Sequence, residues 1–218
     1  MPDERLEWGC DRAGTRKEMA VDEQVSAVLD ELHAYGVAYD ADKEDRLERL
    51  RNLEPDTAAL LALLVRATGA RRVLELGTSN GYSTIWLADA LRDTGGHLVS
   101  IELDPDRSAQ ATRNLSRGGL SKYAEVLVQD ARDALRQSAD AHWDLVFLDA
   151  ERPEYVSYWP DLMRALRPGG LLAVDNVTSH AQEVAEFRSL ISAEPQMAEA
   201  VAPTGSGLLL AVREPDRG

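Results

Sequence analysis

R-R-V-L-E-L-G-T-S-N-G-Y-S, residues 71 to 83, is the stretch whose reading decides the fold. Val73 to Leu76 form a short apolar run that leads straight into a turn bracketed by Gly77 and Gly81, four residues apart. The pattern predicts a buried strand, a tight loop and then a helix. Glycine lets a ligand come close to the backbone, because it has no Cβ and accepts positive φ. In an open α/β sheet, ligands bind at the carboxyl ends of the strands. The loop lacks the third glycine of a dinucleotide fingerprint and the Lys-Ser/Thr ending of a phosphate-binding loop. It is a cofactor corner of another kind.

Outward from this corner, apolar runs alternate with helical patterns. Strands are expected at 73–76, 97–101, 124–128, 143–149 and 171–175, with helices over about 82–92, 105–117, 131–138, 155–166 and 180–193. The runs are continuous rather than alternating, as in a parallel sheet buried on both faces. Segments 197–202 and 207–213 are expected to pair as an antiparallel edge. Upstream, Pro55 and Asp56 open an apolar helix that Gly69 ends. Before it, Val25, Val28, Leu29 and Leu32 recur at helical spacing, with Gly36 as a stop. A charged second helix is expected over roughly 41–52, with Leu47, Leu50 and Leu53 on one side. Residues 1 to about 20 read as a charged tail. The chain divides into an acidic helical arm, 1–54, acting as lid or dimer contact, and an α/β domain, 55–218.

Composition narrows the function. The formal net charge of −14 opposes broad nucleic-acid binding, which rests on Lys and Arg contacts to phosphate. There is no apolar run of transmembrane length and no secretory signal, so a cytoplasmic protein is expected. A single cysteine, Cys10, excludes an internal disulfide and a paired-cysteine metal site.

The residues with chemistry sit at expected strand ends. Glu102 closes S-I-E and suits a ribose diol. Asp104 is the better cap for the helix that follows, which leaves Glu102 free. Asp130 closes V-Q-D-A-R; it can meet an adenine amine beside Ala131, cap the next helix, or do both. Asp149 closes F-L-D, and Asp175 and Asn176 close V-D-N. Two carboxylates and an amide oxygen on adjacent strands make a hard-cation set, suited to Mg²⁺ or Ca²⁺. The alternative is separate capping by each residue.

The form E-x-G-T-x-x-G-Y-S resembles motif I of class I S-adenosylmethionine-dependent methyltransferases. With S-I-E, L-D-A-E-R-x-x-Y, R-P-G-G-L-L-A-V-D-N and the closing P-T-G-S-G-L-L-L-A-V-R, the chain resembles the cation-dependent O-methyltransferases, the catechol and caffeoyl-CoA family, over about residues 50–213. The resemblance implies a Rossmann-like seven-stranded sheet, order 3-2-1-4-5-7-6, with strand 7 antiparallel. It implies S-adenosylmethionine held at Gly77 and Ser83, with Glu75, Thr78, Gly81 and Tyr82 completing the loop. Glu102 would take the ribose and Asp130–Ala131 the adenine. Asp149 would serve both the cofactor and a divalent cation, expected to be Mg²⁺, shared with Asp175 and Asn176. The acceptor would be a small hydroxyl compound, aromatic or a vicinal diol, and the enzyme a homodimer. A tRNA hydroxyuridine methyltransferase and a cofactor-binding protein without transfer activity are the alternatives.

Two departures stand out. The family places a lysine three residues after the first metal Asp, as the base for the acceptor hydroxyl; here it is Arg152. Arginine stays protonated and is a poor base. Either the cation suffices and Arg152 steadies the oxyanion, or His180 acts as base, or Arg152 binds an anionic group of the substrate. In addition, Ser206 precedes Gly207 where some relatives carry an acid. Tyr155, Tyr158 and Trp159 either wall the acceptor or pack the core.

Overall fold

The computed structural model describes residues 22–45 and 48–215. The expected tail over residues 1–20, Cys10 and Leu47 lie outside them. The order is α1 (Glu23–Ala41), α2 (Pro55–Thr68), β1 (Arg72–Leu76), α3 (Tyr82–Thr94), β2 (His97–Glu102), α4 (Pro105–Arg117), β3 (Ala124–Val128), α5 (Ala131–Gln137), β4 (Trp143–Leu148), α6 (Tyr155–Ala165), β5 (Leu166–Val174), α7 (Ala185–Ala193), β6 (Met197–Ala202) and β7 (Leu208–Arg213). The sheet runs β3-β2-β1-β4-β5-β7-β6, with β7 antiparallel to both neighbours, as the resemblance implies. Among the described residues, no helix is long and apolar enough to cross a membrane.

Alternation along the strands divides the core. Val73, Leu145 and Phe147 face the layer of α1 to α4, while Leu74, Leu76, Val146 and Leu148 face α5 to α7. Each fully buried Val or Leu contributes about 1.5–3 kcal/mol, which is what fixes the strand register. Leu76 pairs with Ile101 and Leu148, and Leu148 with Val174. The ladder continues one residue further: Gly77 N–H donates to Ile101 O at 3.0 Å, Asp149 N–H to Leu76 O at 2.9 Å and Asp175 N–H to Leu148 O at 3.1 Å. Three central strands therefore end flush, with Gly77, Asp149 and Asp175 on one rim.

Three expectations are corrected. First, α1 does not stop at Gly36 but runs on to Ala41. Gly36 is buried because the Asn52 side chain packs there; a Cβ would lie 2.4 Å from Asn52 Nδ2. Second, no α-helix forms over 42–45 or 48–54. Asp40 accepts the Leu50 and Arg51 N–H groups at 2.7 and 2.8 Å, taking donors that a helix would use and drawing residues 49–53 into an irregular strap. Third, α7 starts at Ala185, not near residue 180. The Val177, Thr178 and Ser179 N–H groups donate to Gly207 O and Ser206 O of the turn before β7, which holds that stretch out of the helix.

The expected arm is not separate from the core. Val25, Val28, Leu29 and Leu32 of α1 pack with α2 and α3, and Gln24 Nε2 donates to Arg117 O of α4.

Candidate active site

A cavity of about 910 Å³ opens at the carboxyl rim of β1, β2 and β4. Gly77, Thr78, Tyr82 and Ser83 form its floor; Glu102, Asp130, Ala131 and Asp149 line its sides. Gly77 is held at φ +101, and a Cβ there would lie 2.3 Å from Asp149 O. Only glycine lets β1 turn so close to β4.

Glu75 and Gly81 do not line the cavity; they build the loop from below. Glu75 is fully buried. Its carboxyl accepts the hydroxyls of Ser83 at 2.5 Å, Thr84 at 2.6 Å and Ser100 at 2.6 Å. Burial pushes its pKa up to about 7, against the pull of those three donors. Gly81 caps α3 at φ +88 and lies against Ala111 of α4.

Glu102 is not left free. Its Oε2 accepts Ser79 N–H at 2.7 Å, and Oε1 accepts the Leu103 and Asp104 N–H groups at 2.9 and 3.0 Å. A carboxylate has about four lone-pair sites, so one remains for a ligand hydroxyl. Asp104 caps α4, as expected. Asp130 caps α5 through the Arg132 and Asp133 N–H groups, as expected, and also lines the cavity.

The three aromatic residues part company. Tyr155 is buried, its hydroxyl donating to Ala150 O at 3.0 Å, and it packs on Phe187. Trp159 also packs on Phe187. Tyr158 alone lines the cavity, near Asp130 and Arg132.

Asp149 and Asp175 meet at the rim. Burial raises the Asp149 carboxyl well above its ordinary value, and the Asp175 charge raises it further. Burial likewise brings Asp175 to about 6, with Arg152 pulling the other way. Asp175 Oδ1 is buried with no hydrogen-bond partner. Asn176 sits at φ +65, a left-handed conformation that asparagine tolerates better than most residues. Its Nδ2 donates to Asp175 Oδ2 at 2.6 Å, and its Oδ1 has a longer contact of 3.4 Å with Ser179 Oγ. An orphaned buried oxygen between like charges fits a hard cation. Among the described residues, no group of three or more His, Cys, Asp or Glu side chains is placed to hold a metal. A cation here would have to rest on two carboxylates and an amide.

Arg152 opens a short 3-10 turn (Arg152–Glu154) after β4 and is only 4% exposed. Its Nε donates to Glu183 Oε2 at 2.8 Å. His180 lies in the turn after Asn176, its N–H on Asn176 O and its Nδ1 2.8 Å from Ser179 Oγ.

Two features differ from or escape the sequence reading. The strap residues Leu50, Arg51, Asn52 and Leu53 line the cavity, tied by Ser79 Oγ to Leu50 O at 2.9 Å and by an Arg51–Glu151 ion pair at 3.0 Å. Glu183 is the other. A left-handed φ at a non-glycine residue marks strain that clusters at functional sites. Arg51, Ser79 and Asn176, all at this rim, are three of the four described examples.

Comparison with known proteins agrees with this geometry. A family model described as O-methyltransferase matches residues 18–214. A catechol O-methyltransferase of Niastella koreensis is 38% identical over 129 residues, 58% of this chain and 58% of that protein, so the match spans somewhat over half of that relative. The O-methyltransferase of Bacillus cereus, solved in complex with S-adenosylhomocysteine (SAH), superposes with a TM-score of 0.73 at 30% identity, covering 86% of this chain and 91% of that one. TomG of Streptomyces achromogenes, an O-methyltransferase of tomaymycin synthesis solved with S-adenosylmethionine, gives 0.72 at 28% identity, with 89% and 91% covered. With its motifs, its sheet order and nearly its whole length matched, the chain belongs to the O-methyltransferase family, the S-adenosylmethionine-dependent class that the sequence resembles.

Proposed function

We propose that this protein moves a methyl group from S-adenosylmethionine to a hydroxyl of a small acceptor, aromatic or a vicinal diol, beside a divalent cation held by Asp149, Asp175 and Asn176. Asp149 carries the reading. It lines the cofactor cavity and is at the same time electrostatically coupled to Asp175 at the neighbouring strand end. Cofactor and acceptor would therefore meet at one residue. The cation, expected to be Mg²⁺, would lower the pKa of the acceptor hydroxyl.

The chain's own residues orient the partners and exclude water. Glu102 offers its remaining lone pair to the ribose, Asp130 and Ala131 stand on the adenine side, and the Gly77–Ser83 loop takes the methionine part. The strap covers the cavity. Arg152, always charged, cannot take the acceptor proton. In this reading its guanidinium would steady the developing oxyanion. His180, on the loop beyond Asn176, is the imidazole near the site and is assigned the proton.

Titrating SAH into the protein with Mg²⁺ and with EDTA, followed by a labelled-methyl screen of catechols and related diols, tests this reading. Micromolar binding with transfer that EDTA abolishes is expected. Transfer undiminished by EDTA would remove the cation, and absence of binding would remove the whole reading.

The strap gives a second expectation. Asp40→Ala frees Leu50 and Arg51 from two charge-assisted hydrogen bonds, worth about 1.5–3 kcal/mol each. SAH should bind at least about tenfold more weakly, equivalent to about 1.4 kcal/mol. Unchanged affinity by calorimetry would mean that the strap covers the cavity without contributing to binding.

A further inference from the structure

Arg152 stands where a buried cation is hard to justify by stability. Its guanidinium is 4% exposed, and Nη2 is buried with no hydrogen-bond partner. Glu183, its hydrogen-bond partner among the described residues, keeps 40% of its side chain in water. An ion pair with so open a partner adds little stability, while a buried donor left unpaired is costly. A half-satisfied buried cation therefore calls for an explanation outside folding.

Geometry supplies one. Glu183 lies on the segment after Asn176, which is tied to the turn before β7 at its start and closes into a local turn at Glu183. Val177 N–H is held by Gly207 O, and Glu183 N–H by His180 O at 2.9 Å. Arg152 comes from the other side of the crevice, three residues past Asp149. The Arg152–Glu183 hydrogen bond thus ties the loop carrying Asp149 to the loop carrying Asp175 and Asn176. It holds the guanidinium by Nε, at one edge of its planar fork, and leaves Nη2 without a protein oxygen. The charge on Arg152 acts on both Asp149 and Asp175. Released from Glu183, the fork is free to turn to either carboxylate, and a bidentate pair there would occupy oxygens that a cation needs.

We infer that Glu183 is a positioning residue: by anchoring Arg152 through Nε, it keeps the guanidinium off Asp149 and Asp175 and aims Nη2 at the acceptor oxygen. This rests on the methyl-transfer reading above and extends it to a residue outside both the cofactor and the cation sets. Its hydrogen bond to Arg152 Nε is the route by which it acts on the site.

The test is a double-mutant cycle with two readouts. Glu183→Gln preserves size and removes the charge. In the SAH-loaded protein, calorimetric titration of Mg²⁺ should show about tenfold weaker binding, the lower end for loss of a partner that orients metal ligands. With an accepted diol, kcat should fall about tenfold or more while KM for S-adenosylmethionine and the SAH affinity stay unchanged. In an Arg152→Ala background the same substitution should change neither Mg²⁺ binding nor kcat, because the group it positions is gone. Additive losses, or a lowered melting temperature with Mg²⁺ affinity and kcat intact, would overturn the inference. A wild type that binds Mg²⁺ but methylates no diol would fail the methyl-transfer reading, and the Mg²⁺ cycle would still decide on Glu183. A wild type that does neither would overturn both.

Discussion

Asp175→Asn is expected to make the cation-free protein more stable at pH 7.5 and to cut methyl transfer about a thousandfold, the scale on which loss of one electrostatic stabiliser of a transition state is felt. The two effects have one origin. The Asp175 carboxyl is raised to about 6 in the folded protein by burial, against an ordinary 3.8. A raised carboxyl contributes stability that is complete below about pH 4 and is lost as pH rises through about 6. At pH 7.5 the cation-free fold therefore carries an ionised Asp175 beside Asp149 with one buried oxygen unpaired. Asparagine removes that charge. The gain is on the order of 1–3 kcal/mol, or roughly 3 °C per kcal/mol for a chain of this size. Mg²⁺ should raise the melting temperature of the wild type, since it binds only the folded form, and should leave the variant unmoved. Thermal melts in EDTA and in Mg²⁺, with turnover measured on the same preparations, check both halves. An aspartate serving only as a loop hydrogen bond would behave oppositely, with lower stability and little change in rate.

That pair was legible before the structure because the signals were local. Apolar runs of five or six residues announced the strands, and an acid directly after each run announced the rim. Parallel pairing then brought Asp149 and Asp175 side by side with no further information. The loop 77–83 was legible for the same reason. The strap was not. Its leucines and charges fit a helix, and what prevents one is Asp40, ten residues away from Leu50, taking its N–H. Glu183 was equally silent. It lies 31 residues from Arg152, in a turn with no periodicity, and only the sheet brings them together. His180 was read as a helix start because the competing acceptors, Ser206 O and Gly207 O, belong to the far hairpin. What the sequence concealed was in each case a hydrogen bond between distant segments. The loop's own acid was misread in a different way. Glu75 was assigned to the cofactor, and the structure places it beneath the loop, wholly out of water.

Glu75→Ala is accordingly expected to cost stability at every pH, whereas Glu75→Gln should cost little at pH 5, gain on the wild type towards pH 8 and so flatten the pH dependence. In the wild type, three hydroxyls converge on a buried carboxyl whose pKa stands at about 7, raised first by burial. Alanine leaves Ser83, Thr84 and Ser100 without their acceptor and opens a cavity beneath the loop. Buried groups stripped of partners cost about 1–3 kcal/mol each, so a loss of about 3–5 kcal/mol is expected. Glutamine resembles the protonated acid, with one acceptor oxygen and one donor end, and the hydroxyls can rotate to meet it. The raised carboxyl makes wild-type stability fall as pH climbs, from a full contribution below about 4.5 to none above about 7, a change of at most ~3 kcal/mol. Asp149 and Asp175 titrate upward for the same reason, so the wild-type slope alone is not diagnostic. The difference between wild type and Glu75→Gln isolates Glu75, because the other two carboxyls are common to both. Urea unfolding between pH 5 and 8 measures it. Parallel curves would mean that Glu75 holds no proton anywhere in this range and that the three hydroxyls outweigh burial. A wild-type curve that drops away from that of Glu75→Gln as pH rises would show that burial dominates, and that the cofactor loop rests on a carboxyl kept partly neutral near pH 7.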